Sequence, residues 1–507
     1  INAPRLLREL HHLATLTDCP PSPDPQTTAV TRIVFTPRDL EARAYIISLA
    51  ETAGFLIHTD AIGNTFFRWA GTEPTLPAVA TGSHADAIPH AGMYDGTVGV
   101  LAGLEAMRSL KESAFQPRRS IETILLTSEE PTRFGIGCLG SRLLGGILSP
   151  TTADALPDLL PETNLGGPSS PIASSSDKVG PQDAPATLHQ VRNAAGFTGD
   201  LTTVPLPKGH FYAWLELHIE QGPLLERAMQ NAAVEQTPVQ QTPVEQTPVE
   251  QTPVEQTPVE QTASEQTALL GTGFSPSDST APTKRALAPE GMPTILGIVT
   301  HIAAPASYRY TIEGIGGHAG ALLMPDRRDA LCAAAELILS IERHTLAANA
   351  ASHTSNSVAT IGTVAVHPGA VNSVPSRVTL MLDIRDTDPS RRDQTMAALH
   401  TDIAELEQRR RVTITEQKIN ADTPTTSDPH ILATLKKILT EQKIPFQEMV
   451  SRAYHDTSFI SRIAPVAMLF IPCRNGVSHR PDEFATPESI ALGTQILAQT
   501  LAHLASE

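Results

Sequence analysis

Cysteine is scarce in this chain, four residues in 507 (Cys19, Cys138, Cys332 and Cys473), with neither the density nor the CxxC spacing of a disulfide framework or a thiolate metal site. Four separate thiols are expected. Aromatic residues make up 4% and charged residues 18%, and no uninterrupted apolar run approaches the roughly 18 to 20 residues that a bilayer-crossing helix takes. A membrane span is excluded. Basic residues are outnumbered, 37 Lys and Arg against 54 Asp and Glu for a formal charge of −17, and no basic cluster could follow a phosphate backbone. Nucleic acid is not expected as a partner.

The 32 Gly and 42 Pro are unevenly spread. From Gln236 to Thr262 a five-residue unit, QTPVQ then QTPVE, repeats with a Pro every fifth residue. That spacing blocks helix and sheet ladders alike and leaves little to bury, so a disordered or polyproline-like insertion is expected from about Asn231 to Pro289. The stretch from Pro150 to Pro185 has similar loop chemistry. The rest suffices for two domains.

Helical spacing over Arg38–Ala53 and Thr97–Ser109 alternates with strand-like runs at Phe55–His58, Leu76–Gly82 and Ser120–Thr127. The fold class expected is α/β, a mainly parallel sheet with helices on both faces. Past the repeat, strands read at Ile298–Ala303, Ser307–Glu313, Ser357–Val364, Arg377–Asp383 and Val412–Lys418, with helices at Arg328–Arg343 and Arg391–Arg409. This is an α+β layer, and Val466–Ile471 with Pro487–Ala502 then resumes the first pattern. The expected organisation is a catalytic domain over 1–296 and 420–507, carrying both insertions (about 150–185 and 231–289), with a smaller domain over 297–419 placed within it.

In TGSHADAIPHAGMYDG an apolar strand ends in glycine, and His84 and Asp86 follow where a parallel sheet exposes its carboxyl ends. Alone, the pair reads as a capping aspartate beside a surface histidine. A second sheet end changes the balance, because SIETILLT runs directly into Ser128, Glu129 and Glu130. Two adjacent carboxylates there can divide their work, one ligating a metal and one holding the proton of water. His218 in WLELHIEQGP and His455 in SRAYHDTSF each also fit a core histidine with a satisfied ring. Together His84, Asp95, Glu130, His218 and His455 form a nitrogen and oxygen donor set suited to zinc, manganese or cobalt. Five ligands exceed the needs of one catalytic ion and fit two if a carboxylate bridges.

The chain resembles the dinuclear-metal amidohydrolases related to aminoacylases, and within them the ureido-hydrolysing branch, through GSHADAIPHAGMYDG, SEEPTRFGIGCLGSR, LELHIEQGPLLE, GGHAG with RRDA, PGAVNSVPS with DIRD, and AYHD. HAGALLMPDRRDA, SRAYHDTSF and GVSHRPDEFATPE resemble the plant-type enzymes acting on ureidoglycolate rather than those acting on allantoate or N-carbamoyl amino acids, which remain the alternative. The resemblance implies that His84 and His218 ligate one ion and Glu130 and His455 the other, with Asp95 bridging. Asp86 would orient His84, and Glu129 would be the general base. Substrate contacts would come from Gln221, His318, Asn372, Arg385, Ser478 and His479, with His318 reaching across a homodimer formed by the small domain and Arg385 holding the substrate carboxylate. The cofactor implied is a pair of divalent ions, manganese first, zinc or cobalt in its place; the partner is a small ureido substrate. The rival from another class is a non-catalytic relative using the repeat as an interaction arm, disfavoured because all five ligands and the base are present. The chain opens on Ile1, so the compartment is not legible at this end: cytoplasm is expected for a bacterial source, endoplasmic reticulum for a plant-like one.

Overall fold

The computed structural model describes residues 1–22, 27–160, 185–236, 294–354 and 356–507. The QTPVE repeat beyond Gln236 and residues 161–184 of the other expected insertion lie outside them. Where described, both insertions carry more structure than expected: Pro150–Asp154 is a short helix capped by Ser149, and the helix Leu224–Gln236 runs past Asn231. By contacts, Ile1–Ala228 with Pro293–Glu507 form one compact unit and Met229–Met292 another.

A nine-stranded sheet organises the larger unit, in the order Thr425–Thr426, Leu296–Ile302, Val466–Ile471, Phe211–Ile219, Ala78–His84, Ile121–Leu126, Thr65–Trp69, Leu56–Thr59, with Phe446–Ser451 also beside Leu296–Ile302. The four strands from Val466–Ile471 to Ile121–Leu126 are mutually parallel. Beyond them the neighbours Leu296–Ile302 and Thr65–Trp69 join antiparallel. Ala78–His84, Ile121–Leu126 and Val466–Ile471 are buried along their whole length, which explains why Val466–Ile471 reads as a continuous apolar run rather than an alternating one. One face packs on helices Thr97–Glu112, Pro429–Glu441 and Pro487–Ser506 through Leu101, Leu104, Leu435 and Leu501, and helix Ala3–Thr15 packs on the first and last of these. The other face packs on Leu139, Leu143, Leu188 and Ile460 around the buried Trp214. Among the described residues no helix is long and apolar enough to cross a membrane.

A second sheet, antiparallel throughout, has the order Val358–His367, Arg377–Asp386, Ala304–Glu313, Thr413–Ala421. Helices Ala330–Ser352 and Pro389–Arg410 cover one face through Leu337, Ile341, Leu399 and Leu406. Along Arg377–Asp386 burial alternates, so Leu380, Leu382 and Ile384 enter this core and Met381, Asp383 and Arg385 take the opposite face.

The two connections between the sheets are tied together. The Asp422 N–H donates to Pro305 O at 3.0 Å, and Arg392 Nη1 donates to Ala304 O and Asp422 O at 3.3 and 3.0 Å. From the larger sheet's side, Arg142 grips the Asp422 carboxylate with Nη1 and Nη2 at 3.2 and 2.8 Å.

Candidate metal centre and cleft

The site is built from loops that leave the carboxyl ends of the central parallel strands. His84 closes its strand, Glu129 and Glu130 follow Ile121–Leu126, His218 is the penultimate residue of Phe211–Ile219, and the segment after Val466–Ile471 brings Ser478 and His479. Asp95 sits in the turn before helix Thr97–Glu112.

Asp95 is the hub. His84, Asp95 and His218 place one donor atom each within 4.8 Å of one another, and so do Asp95, Glu130 and His479. His218 Nε2 is 3.1 Å from Asp95 Oδ1, and His479 Nε2 is 3.1 Å from Asp95 Oδ2 and 3.5 Å from Glu130 Oε1. A main-chain carbonyl only accepts, so the tautomers follow: His84 Nδ1 donates to Asp86 O and His218 Nδ1 to Ile219 O, both at 2.9 Å. Each ring therefore presents Nε2 to Asp95, 3.8 Å away for His84 and 3.1 Å for His218, and that nitrogen is the one a metal ion would take once its proton is lost.

This grouping differs from the expected one at two histidines. His479, expected as a substrate contact, lies with Asp95 and Glu130. His455, expected beside Glu130, instead groups with Glu216 and His218. It is buried, its Nε2 is 2.9 Å from Ser451 Oγ, and its ring stands 4.6 Å from that of His218. Asp86 also acts differently. Its main-chain oxygen, not its carboxylate, holds His84, while the carboxylate accepts the N–H groups of Glu129 and Glu130 at 3.3 and 3.1 Å. It thereby fixes where both glutamates begin.

The electrostatics follow from crowding several acids and four histidines together. Burial alone would raise Asp95, but hydrogen bonds from His218 and His479 carry its carboxyl well below the usual range. Burial, then Asp95, pushes Glu130 up to about 8. Burial and the neighbouring Glu130 hold Glu129 well above its ordinary value. The hydrogen bond to Asp95 raises His479 to about 9; His218 reaches about 9 because Asp95 outweighs its burial. Burial and the nearby His218 push His455 well down.

Glu483 was not legible as a site residue. It is buried, accepts the N–H groups of Tyr94 and Asp95 at 2.9 and 3.0 Å, and accepts Ser478 Oγ at 2.8 Å. It thus ties the Asp95 turn to the His479 loop. A signal existed in its position four residues after His479 in SHRPDE.

The centre floors a cleft of about 830 Å³ whose wall includes Glu129, Arg142, Gln221, Asp383, Arg385 and Tyr454. Gln221 Nε2 donates to Asp95 Oδ2 at 2.8 Å and to Ser478 Oγ at 3.1 Å. Arg385 pairs with Asp383, Nε to Oδ1 at 2.7 Å. His318 and Asn372 do not line this cleft. They are exposed neighbours on a two-stranded ribbon in which Gly317–His318 pairs with Ser373–Val374.

The donor set fits hard or borderline divalent ions, since it holds imidazole and carboxylate and no thiolate. Space for such ions is preserved as well: a Cβ built on Gly96 would lie 2.4 Å from His84 Nε2.

Residues 75–503 match the description Peptidase family M20/M25/M40. A ureidoglycolate hydrolase of Arabidopsis thaliana is 39% identical over 505 residues, 99% of this chain and 87% of that protein. An N-carbamoyl-L-amino acid amidohydrolase of Geobacillus stearothermophilus is 29% identical over 94% of this chain and 93% of its own. Among solved structures, AtUAH in complex with glyoxylate is 37% identical with a TM-score of 0.75, covering 100% of this chain and 98% of that one. An α/β catalytic fold with a smaller inserted α+β layer, hydrolase relatives and donors clustered at the carboxyl ends of the parallel strands agree, and the chain belongs to peptidase family M20/M25/M40.

Proposed function

We propose that this chain hydrolyses the ureido C–N bond of ureidoglycolate, giving glyoxylate, ammonia and carbon dioxide in the breakdown of purines through allantoin. The observation that carries the reaction type is the sharing of Asp95 by two donor triads beside Glu129. The choice of substrate is supported by relatives from Arabidopsis thaliana and Oryza sativa named ureidoglycolate hydrolase, at 39% and 38% identity, against 26 to 29% for those named for N-carbamoyl amino acids or allantoate.

In this reading His84, Asp95 and His218 would hold one divalent ion and Asp95, Glu130 and His479 a second, manganese first, with zinc or cobalt able to replace it. Such ions supply Lewis-acid polarisation of the ureido carbonyl and make water more acidic. Glu129 is the proton carrier. Its Oε2 stands 3.7 Å from His84 Nε2 on the cleft wall, and its raised carboxyl is a stronger base than an ordinary glutamate. It takes a proton from the attacking water and delivers it to the departing nitrogen. Arg385 binds the substrate carboxylate, and Gln221 holds Asp95 in place while Ser478, its O–H given to Glu483, accepts from Gln221. The exposed ribbon of His318 and Asn372 serves the cleft of a second copy in a homodimer.

The test is ammonia release from ureidoglycolate, allantoate and carbamoyl-β-alanine, with manganese and with zinc. Ureidoglycolate should show the highest kcat/KM. Faster turnover of allantoate or of the carbamoyl amino acid would replace the substrate, and no turnover of any would remove the function.

A further inference from the structure

Arg385 reaches the cleft already engaged. Because Arg377–Asp386 is a strand with period two, Asp383 and Arg385 emerge side by side on the face away from the small-domain core. Arg385 Nε donates to Asp383 Oδ1 at 2.7 Å, Nη2 to Asp383 Oδ2 at 3.3 Å, and Nη1 to Arg452 O at 3.3 Å. A guanidinium has five N–H groups in one plane. Three are spent, leaving one on Nη1 and one on Nη2.

We propose that Asp383 is a positioning residue for substrate recognition: with the Arg452 carbonyl it locks the Arg385 guanidinium so that its remaining two N–H groups form a fixed fork for a substrate carboxylate. The inference rests on the reading of Arg385 as the carboxylate-binding group and adds what aims it. A free arginine side chain carries much rotamer entropy, and aligning it only on binding weakens the grip. Asp383 does this aligning before the ligand arrives. It also cancels the arginine's charge locally, so the fork selects by shape and hydrogen bonding more than by long-range attraction. A ligand with one carboxylate at the end distal to its ureido group is the chemistry that fits.

Glyoxylate serves as the probe, titrated calorimetrically into the manganese-loaded enzyme for wild type, Asp383→Asn, Arg385→Lys and the double variant. Asp383→Asn keeps the shape and loses the charge and one of the two carboxylate acceptors. Its glyoxylate Kd should rise about tenfold, the scale of weakening one charge-assisted hydrogen bond. The double variant should bind no more weakly than Arg385→Lys, because Asp383 acts only through the fork. In turnover, Asp383→Asn should raise KM with kcat within about threefold of wild type, at unchanged metal content. An unchanged or lower Kd in Asp383→Asn, independent losses that multiply in the double variant, or no glyoxylate binding to wild type would each overturn the proposal. Failure of the functional reading shows elsewhere, as absent ammonia release from ureidoglycolate, and leaves the binding comparison standing.

Discussion

Replacing Gly96 with alanine should empty the metal centre without unfolding the protein. Gly96 has φ +66° and ψ −46°, and the Thr97 N–H donates to Asp95 O at 2.7 Å across it. That is a three-residue turn in its positive-φ form, which is strained for any residue with a Cβ. Forcing an L side chain into it costs about 1 to 3 kcal/mol. A second cost is local. The added Cβ would sit 2.4 Å from His84 Nε2, where ordinary contact begins at 3.4 Å, so one of the two must retreat by the difference, 1.0 Å. His84 cannot swing away, being buried and tied to Asp86 O. Either the ring shifts or the Asp95 turn does, and both carry ligand atoms. Metal affinity should fall by roughly 10- to 100-fold or more, as when the support of a ligand is lost, with kcat falling in step at limiting metal. The assay is metal stoichiometry by mass spectrometry after dialysis against graded chelator, with far-ultraviolet circular dichroism as the folding control. Full metal loading and wild-type turnover in Gly96→Ala would refute the reasoning.

Glu129→Gln should lose about 10²- to 10⁴-fold in kcat while metal analysis shows the wild-type content; an emptied centre would make Glu129 a ligand. His479→Ala should lose about one equivalent of metal, whereas His455→Gln should keep both; the reverse result would return His455 to the ligand set. The metal-free protein should lose stability as pH rises from 6.5 to 9. His218 and His479 stand at about 9 against an ordinary 6.5, and Glu130 at about 8 against 4.5, so the folded state holds protons that the unfolded chain releases. Calorimetric melting of chelator-treated protein checks this, and a melting temperature that climbs over that interval would contradict it.

Much of the scaffold is legible in sequence because its signals are local. Val466–Ile471 is the strand expected, and Thr97–Glu112 departs from its expected bounds only at the last turn. Thr65–Trp69 escapes because five residues at the sheet's antiparallel flank carry too short a pattern. The helix Ala3–Thr15 is not among the expected elements, although its stripe of Leu6, Leu10 and Leu13 has helical spacing and a polar opposite face. At the site, donor types are visible and partnerships are not. His455 and His479 both follow strands of one sheet, and which of them meets Glu130 is decided by the path of an irregular loop pinned by Glu483. No periodicity encodes that path. Arg385 shows a related limit: its pairing with Asp383 is implied by the i, i+2 spacing, while the Arg452 carbonyl comes from 67 residues away.

The bonded pair of connections between the two sheets constrains how the cleft can change shape. Since Asp422 is joined to Pro305 and Arg392 staples both chain crossings, the crossings behave as one ribbon rather than as two independent tethers. A ribbon bends easily about one axis and resists shear and twist. The small sheet, which carries Arg385 into the cleft opposite Asp95, is thereby joined to the larger one by a tied pair of strands rather than by two loose segments. Arg142 holds Asp422 from a helix that begins nine residues after Glu130, so the tied crossings and the segment that carries the glutamates share one anchor.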